Sequence, residues 1–282
     1  MSHKFKVLEV KCPTCGIIKN ISIPEAIFSQ KKFGTIKVQV PINAVCPEHQ
    51  FIVFVDTKGI IRGYEKIDLL MASISPEAES EAEGRINLRN LIQMFGTYGM
   101  FSLIHAKLFN YPAYIIKDDT FEHSEEILNK VGDSILPERF KGNKTVYLLD
   151  ESDISKIKIK NKESLIMDTH QNIFQTPWKE KLKFEEQILK RALEIIDEQE
   201  QQKLLQQDIS RFISEVNYVV SLLEVVDTIY EDELIEQLSK ALKIKKISTY
   251  RLNLIKEFIK RNISAKIVSK IKSRVGEFLS II

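Results

Sequence analysis

The chain has 282 residues, of which 44% are hydrophobic and 28% are charged. This is the composition of an ordinary globular protein and the length of two or three domains. No stretch approaches the roughly 20 consecutive apolar residues of a membrane-spanning helix, the N-terminus lacks the apolar segment of a secretory signal, and three cysteines are too few for a disulfide framework. We therefore expect a cytoplasmic protein.

The net charge of +2 conceals two strongly charged blocks. Residues 240–282 contain twelve Lys/Arg and two Glu, which gives a net charge of +10. Residues 185–238 contain fourteen Asp/Glu and four Lys/Arg, which gives −10. The two blocks nearly cancel, so the basic block either pairs with the acidic one or serves an anionic partner.

The first part of the chain consists of short alternating apolar runs separated by turn residues. Such runs at 5–10, 35–40, 51–55 and 60–64 predict antiparallel hairpins, because side chains alternate between the two faces of a strand. Residues 73–84 are mostly small and acidic and almost free of large apolar side chains, which is typical of a linker. We therefore predict a β module over residues 1–71 and a linker over 72–85.

Within the β module, two cysteine-containing motifs have the spacing of metal ligands. They are Cys12-Pro-Thr-Cys15-Gly16 and Cys46-Pro-Glu-His49. Together they supply the four N/S ligands of a tetrahedral zinc ion, and Gly16 allows the backbone to turn beneath it. A redox function of the first cysteine pair is the alternative, but no thioredoxin-like pattern surrounds it.

These motifs resemble those of zinc ribbons of the archaeal and eukaryotic type, and the resemblance covers residues 5–65. It implies one structural Zn²⁺ per chain, with no open position for a catalytic water. Zinc ribbons bind DNA, RNA and proteins, so the resemblance does not specify a partner.

Residues 86–178 predict a mixed α/β domain. Helices are expected over 86–108, interrupted by Gly96 and Gly99, and over 122–131, with strands near 113–116, 145–149 and 164–167. The common nucleotide-binding and hydrolase motifs are not found in the sequence. We interpret the acidic clusters at 118–119 and 150–153 as loop charge, His105 as a core or surface residue, and the segment 168–170 as a turn.

Three segments of this domain, 103–116, 135–138 and 165–168, resemble the central part of DENN and longin-like domains in their pattern of helix, apolar strand and Leu-Pro turn. The resemblance covers residues 87–170. It implies a domain that binds and regulates small GTPases.

Residues 179–282 predict a helical domain. Apolar residues from 205 to 226 follow a heptad pattern of about three repeats, typical of a coiled coil or an internal bundle. Isoleucines at steps of four from 255 to 271, followed by Val275, predict one long basic amphipathic helix that starts at a Ser248-Thr249 N-cap. Its candidate residues for an anionic partner are Lys260, Arg261, Lys266, Lys270, Lys272 and Arg274.

Three interpretations of this basic helix remain open: nucleic-acid binding, contact with an anionic membrane surface, and packing on the acidic helices. Overall, the sequence predicts an α+β multidomain protein with an N-terminal β zinc ribbon, a central α/β domain and a C-terminal helical bundle. The leading functional hypothesis is a non-catalytic adaptor that binds proteins, with oligomerisation through the helical region as an option. The alternatives are a nucleic-acid-binding regulator and an enzyme with an unrecognised site in the central domain.

Overall fold

The computed structural model describes residues 5–24, 28, 35–67, 87–150 and 163–273. The predicted linker over 72–85 and the candidate residue Arg274 lie outside these ranges. Within them, the protein is a mixed α/β structure built on a seven-stranded sheet. In the same ranges no helix is long and apolar enough to cross a membrane.

The eleven described strands form one large sheet and two small ones. They are β1 (Phe5–Lys11), β2 (Ile18–Pro24), β3 (Thr35–Val40), β4 (Phe51–Asp56), β5 (Ile61–Lys66), β6 (Ala113–Lys117), β7 (Val146–Asp150), β8 (Leu165–Asp168), β9 (Asn172–Gln175), β10 (Ile229–Tyr230) and β11 (Ile271–Lys272). The large sheet has the order β5-β4-β3-β9-β8-β6-β7, while β1 pairs with β2 and β10 with β11.

The described part of the chain contains seven α-helices. They are α1 (Leu88–Leu108), α2 (Glu125–Ser134), α3 (Lys183–Leu193), α4 (Glu198–Val225), α5 (Glu231–Leu242), α6 (Thr249–Asn262) and the short α7 (Ala265–Val268). The strand β6 runs parallel to both β7 and β8, and α2 lies in the connection from β6 to β7.

The large sheet is covered on both faces, and the alternation of side chains along β4 shows how. Ile52 and Phe54 belong to the core that contains the helices. Phe51, Val53 and Val55 point to the opposite face and pack with residues of the β1–β2 hairpin. The helices therefore cover one face of the sheet and the small hairpin covers the other, as the two-residue period of a strand requires.

The sheet crosses the boundary that the sequence predicts between the ribbon (1–71) and the central domain (86–178). The strand β3 pairs antiparallel with β9, with Lys37 opposite Ile173 and Val38 opposite Asn172. The strands β3–β5 are therefore part of the central sheet, and of the described strands in the predicted ribbon only β1 and β2 form a separate sheet. An unpaired β3 edge would leave a row of backbone N–H and C=O groups without partners, which pairing with β9 avoids.

The helix α1 is kinked at Gly96, where φ is 71° and ψ is 167°. The kink frees backbone groups of the following turn, and the Gln39 side chain from β3 accepts a hydrogen bond from the Tyr98 backbone N–H at 3.0 Å. A Cβ atom on Gly96 would lie 2.5 Å from the Gln39 amide. The sequence correctly predicts an interruption here, and glycine is required because other residues rarely adopt this conformation.

We expect Gly96→Ala to lower the free energy of unfolding by about 2–4 kcal/mol, because the new Cβ combines backbone strain with loss of the Gln39 hydrogen bond. Gly142→Ala is the matched control, since Gly142 also has a positive φ of 86° but no atom near its missing Cβ. It should cost only about 1–2 kcal/mol. Urea unfolding of both variants measures the difference, and equal losses would contradict the role assigned to Gln39.

The helix α4 contains the predicted heptad seam and buries it inside the chain. Its apolar residues from Leu205 to Leu223 lie in the same core as the central sheet and the other helices. The seam is therefore occupied by intramolecular packing. The predicted helical domain (179–282) shares its hydrophobic core with the predicted central domain.

The prediction of one long C-terminal helix is wrong for the described residues. The helix α6 begins at the predicted N-cap, where Ser248 Oγ accepts from the Arg251 N–H at 3.1 Å, but it ends at Asn262. The short α7 and the strand β11 follow, and β11 pairs parallel with β10. A spacing of four residues advances about 400° around a helix, so the stripe drifts by about 40° per step and cannot keep facing one core.

The basic block packs on the acidic helices through two ion pairs. The Arg251 guanidinium of α6 donates two hydrogen bonds to the Glu215 carboxylate of α4, at 2.7 and 3.1 Å. Lys256 of α6 contacts Glu231 of α5 at 2.6 Å. Of the three interpretations of the basic block, these contacts favour packing on the acidic helices for α6.

Candidate metal centre and the other predicted sites

The four predicted metal ligands come together in the structure. The ligand atoms of Cys12, Cys15, Cys46 and His49 all lie within 4.8 Å of one another. The Sγ atoms of Cys12 and Cys46 are 3.6 Å apart, and Cys46 Sγ lies 3.5 Å from His49 Nδ1. This cluster could bind a metal ion, and its nitrogen and sulfur donors suit a tetrahedral transition metal.

Tight turns at both motifs hold the ligands in place. In the first, Gly16 has a φ of 79° and donates its N–H to the Cys12 carbonyl at 3.0 Å, while the Cys12 N–H donates to the Ile17 carbonyl. In the second, Asn43 has a φ of 71° and donates its N–H to the Cys46 carbonyl at 2.9 Å. The requirement for glycine after the first cysteine pair, predicted from the sequence, is confirmed.

The thiol pKa values of the two buried cysteines, Cys12 and Cys46, are shifted in opposite directions. Burial raises the pKa of the Cys12 thiol, but hydrogen bonds from the backbone of Cys15 and Thr14 and from neighbouring thiols lower it, and the resulting pKa is about 7. Burial raises the pKa of the Cys46 thiol, and with the side-chain hydrogen bonds to Cys12 and Cys15 it outweighs the lowering by the backbone hydrogen bonds of Glu48 and His49. A bound cation would favour the thiolate form of both.

The four candidate metal ligands lie between two separate sheets. Cys12 and Cys15 lie in the connection between β1 and β2, whereas Cys46 and His49 lie in the connection between β3 and β4. Cys12 and Cys46 are also members of the apolar cluster between the hairpin and the large sheet. A metal ion at this position would therefore fasten the β1–β2 hairpin to the face of the sheet.

The residues predicted to serve an anionic partner do not share one helix face. Arg261 donates to the backbone carbonyls of Phe109 and Asn110, at 2.7 and 3.2 Å. Lys270 donates to the carbonyls of Leu223 and Val226, near the C-terminal end of α4. The remaining described candidates are exposed and lie on three different elements, with Lys260 on α6, Lys266 on α7 and Lys272 on β11.

Asp168 and His170 lie at the turn that follows β8. Asp168 accepts hydrogen bonds from the backbone N–H groups of His170 and Asn172 and from the Asn172 side chain, all at 2.8–2.9 Å. Burial raises the pKa of the Asp168 carboxyl. The His170 ring faces Asp118 instead, with Nε2 and Oδ2 3.1 Å apart. These residues form a turn, as predicted, and the second acidic cluster lies outside the described residues after Asp150.

His105 is a buried core residue that pairs with Glu185. Its Nδ1 lies 2.7 Å from Glu185 Oε1, and both side chains are almost fully buried, with exposures of 2% and 0%. Glu185 is not among the residues predicted from the sequence, although its position carries a signal. Glu185 lies three, four and seven residues before Ile188, Leu189 and Ala192, so it shares their apolar face of α3. An acid without a partner would be costly on that face.

A set of exposed apolar side chains in the predicted ribbon is also not predicted from the sequence. Among the described residues, ten large apolar side chains are exposed, and six of them belong to the predicted ribbon. We call these six the ribbon face: Phe5, Val7, Ile17, Ile18, Ile60 and Tyr64. The signal was again present, because β1 carries apolar residues on both faces, Phe5 and Val7 on one and Leu8 and Val10 on the other, whereas a strand with one solvated face carries them mainly on the buried face.

Comparison with protein-family models finds no family that matches the chain, and comparison with curated proteins finds none that is similar.

Proposed function

We propose that this protein is a zinc-stabilised, non-catalytic adaptor that binds a protein partner through the ribbon face. The observation that carries the proposal is the concentration of exposed apolar side chains in the predicted ribbon. Phe5, Val7, Ile17 and Ile18 belong to the β1–β2 hairpin that the candidate metal site attaches to the sheet, and Ile60 and Tyr64 belong to the β4–β5 hairpin of the large sheet. Exposed apolar patches of this kind mark sites of protein–protein interaction. The cytoplasm is the proposed location, since thiols stay reduced there and remain available as ligands.

The spacing of the ligand atoms supports zinc as the metal. With Zn–S bonds of about 2.3 Å and Zn–N bonds of about 2.0–2.1 Å, a tetrahedral site separates two sulfurs by about 3.8 Å and a sulfur from a nitrogen by about 3.6 Å. The corresponding distances here are 3.6 Å between Cys12 and Cys46 and 3.5 Å between Cys46 and His49. Four protein ligands complete the coordination, so we assign the ion a structural role.

The pairing of the hairpin supports the assignment of an exposed binding face. In the register of β1 and β2, Val7 lies opposite Ser22 and Lys11 lies opposite Ile18. Directly opposed residues share a face of a sheet, so Phe5, Val7 and Ile18 project from the same side. Leu8 and Val10 project from the other side, into the apolar cluster against the large sheet.

The resemblance to DENN and longin-like domains names small GTPases and trafficking components as the first partners to test. Nucleic acid is the second class of partner, through the ribbon and the exposed lysines. Arg261 and Lys270 donate hydrogen bonds to backbone carbonyls of the protein itself. These two candidate cations are therefore less available to bind phosphate groups, which weighs against nucleic acid as the partner.

The proposal is tested with the double variant Val7→Thr/Ile18→Thr. Both residues are more than half exposed, and threonine suits a strand, so the fold should persist. Proteins captured from native extract by the wild-type chain are identified by mass spectrometry, and the affinity of the purified partner is measured by calorimetry. We expect the variant to bind that partner about tenfold or more weakly, because the few side chains that dominate an interface lie near its centre and each costs about 2 kcal/mol or more when truncated.

The matched control is Ile196→Thr/Val225→Thr, which removes two apolar side chains that are 84% and 81% exposed outside the ribbon face. It should leave the affinity unchanged. Equal affinity of the wild type and the ribbon-face variant would contradict the proposal. Capture of nucleic acid that nuclease treatment releases, with no protein partner, would favour the alternative function.

A further inference from the structure

The candidate metal site exposes one of its three cysteines to solvent. Cys12 and Cys46 are buried, with exposures of 1% and 2%, whereas Cys15 is exposed. A bound cation would favour the thiolate form of all three, and the thiolate is the nucleophilic form of cysteine. Oxidation of a cysteine increases with its thiolate character and its exposure. Cys15 is therefore the ligand that a small oxidant in solution reaches first.

Cys12 is the residue with which an oxidised Cys15 can pair most readily. The two belong to one turn, which is closed by the hydrogen bond that the Gly16 N–H donates to the Cys12 carbonyl at 3.0 Å. Their thiols are in hydrogen-bond contact. Cys46 follows β3 of the large sheet, so it stays close to Cys15 only while the hairpin is held in place. The chain has no fourth cysteine that could compete.

We propose that Cys12 and Cys15 form a peroxide-sensitive switch that releases the metal and the β1–β2 hairpin. The Cys15 thiolate attacks hydrogen peroxide. An S–O bond forms, the O–O bond breaks, and the departing hydroxide takes up a proton to become water. The Cys12 thiolate then attacks the sulfur of the Cys15 sulfenic acid. An S–S bond forms, the S–O bond breaks, and a second hydroxide takes up a proton. Two thiolates are thus oxidised to a disulfide while one peroxide is reduced to two waters.

The disulfide removes both of the ligands that the hairpin contributes to the site. Only Cys46 and His49 remain, and two ligands do not complete a tetrahedral zinc site. Because Cys12 and Cys15 lie between β1 and β2, loss of the metal ends the link between the two sheets. A disulfide between Cys15 and Cys46 would have the opposite effect, since it would tie the hairpin covalently to the large sheet. The identity of the disulfide therefore decides the fate of the hairpin.

Release of the hairpin would also divide the ribbon face, a consequence that rests on the proposed adaptor function. Four of the six residues of the ribbon face lie on the β1–β2 hairpin, and the other two lie on the β4–β5 hairpin of the large sheet. Oxidation separates the two groups, so we expect the oxidised protein to bind its protein partner more weakly than the reduced protein.

The switch is tested by treating the zinc-loaded full-length protein with hydrogen peroxide. We expect release of about one zinc ion per chain, as for a single tetrahedral site, and a Cys12–Cys15 disulfide in peptide mapping. Dimedone, which traps sulfenic acids, should label Cys15 before the other two cysteines. Amides of β1 and β2 should exchange faster while those of β4 stay protected, and a dithiol reductant with added zinc should restore the protection.

Two exchanges of a ligand form a matched pair of variants. Cys15→His and Cys46→His each leave two cysteines and two histidines, a set that zinc accepts. Cys15→His removes the exposed thiol, so peroxide should release its zinc about tenfold or more slowly than from the wild type. Cys46→His keeps both Cys12 and Cys15 and should release zinc at the wild-type rate.

Retention of zinc under peroxide, equal rates of release from the two variants, or a Cys15–Cys46 disulfide would overturn the proposal. Dimedone labelling and disulfide mapping of the wild type decide the question even where a variant does not bind zinc. None of these measurements requires the protein partner. Unchanged affinity for the partner after zinc and hairpin have both been released would instead contradict the adaptor function proposed for the ribbon face.

Discussion

Replacing Cys46 by serine is expected to remove the metal and to release the β1–β2 hairpin from the large sheet, while the sheet itself stays folded. The metal cluster joins the two sheets through Cys12 and Cys15 on one side and Cys46 and His49 on the other. Structural zinc sites in small peptides contribute on the order of 10 kcal/mol at neutral pH. Even a quarter of that free energy corresponds to about a hundredfold change in the population of the released hairpin.

Metal content and amide hydrogen exchange measure this effect. The metal content should fall from about one equivalent per chain to nearly none, as expected for one tetrahedral site. Amides of β1 and β2 should exchange about a hundredfold faster or more, whereas those of β4 and β8, in the middle of the core, should stay protected. Treatment of the wild type with a chelator should give the same pattern.

His49→Cys is the matched control for this prediction. It alters the same cluster but keeps four ligands of a type that zinc accepts. We expect it to retain both the metal and the protection of the hairpin. Loss of protection throughout the large sheet of the Cys46→Ser variant would show that the metal stabilises the sheet as well as the hairpin. Unchanged protection of β1 and β2 would show that the metal does not hold the hairpin in place.

The metal cluster was predictable from the sequence because its signal is local. Each pair of ligands occupies a four-residue motif, and Gly16 marks the turn that the first motif requires. The strands β1, β3, β4 and β5 were predictable for the same reason, since alternation of apolar residues is a property of a few consecutive positions.

The pairing of β3 with β9 was not predictable, because it depends on a segment far along the chain. Nothing in residues 35–40 identifies Ile173 as the residue opposite Lys37. The sequence therefore suggested a ribbon separate from the central domain, whereas three of the predicted ribbon strands extend the central sheet.

The C-terminal helix was predicted too long because a four-residue spacing was taken as a helical stripe. Ile259 and Ile271 do both become buried, but Ile259 lies in α6 and Ile271 lies in β11. Asn262, which donates to the Leu108 and Phe258 carbonyls, lies at the end of the helix. Its contact with Leu108 is tertiary and leaves no trace in the local sequence.

Replacing Glu185 by leucine is expected to lower the free energy of unfolding by about 3–5 kcal/mol, because the substitution leaves His105 buried without its partner. The pair links α1 to α3, and the His105 ring is enclosed by Phe109 and Trp178, with ring centroids 4.3 and 4.5 Å away. Water cannot readily replace the lost carboxylate in such a packed environment. Urea unfolding should show a lower midpoint with an unchanged slope.

The double variant His105→Phe/Glu185→Leu distinguishes the free energy of the His105–Glu185 interaction from the cost of leaving His105 buried without a partner. Replacing both partners of a buried pair by apolar groups of similar size is often nearly neutral, so we expect the double variant to recover most of the loss seen in Glu185→Leu. A matched change at an exposed pair, Glu126→Ala beside Lys130, should leave the unfolding midpoint unchanged. If the loss of stability in the double variant equals the sum of the losses in Glu185→Leu and in the single variant His105→Phe, the two residues are not coupled. In that case the position of α3 on α1 is determined by the surrounding apolar contacts rather than by this pair.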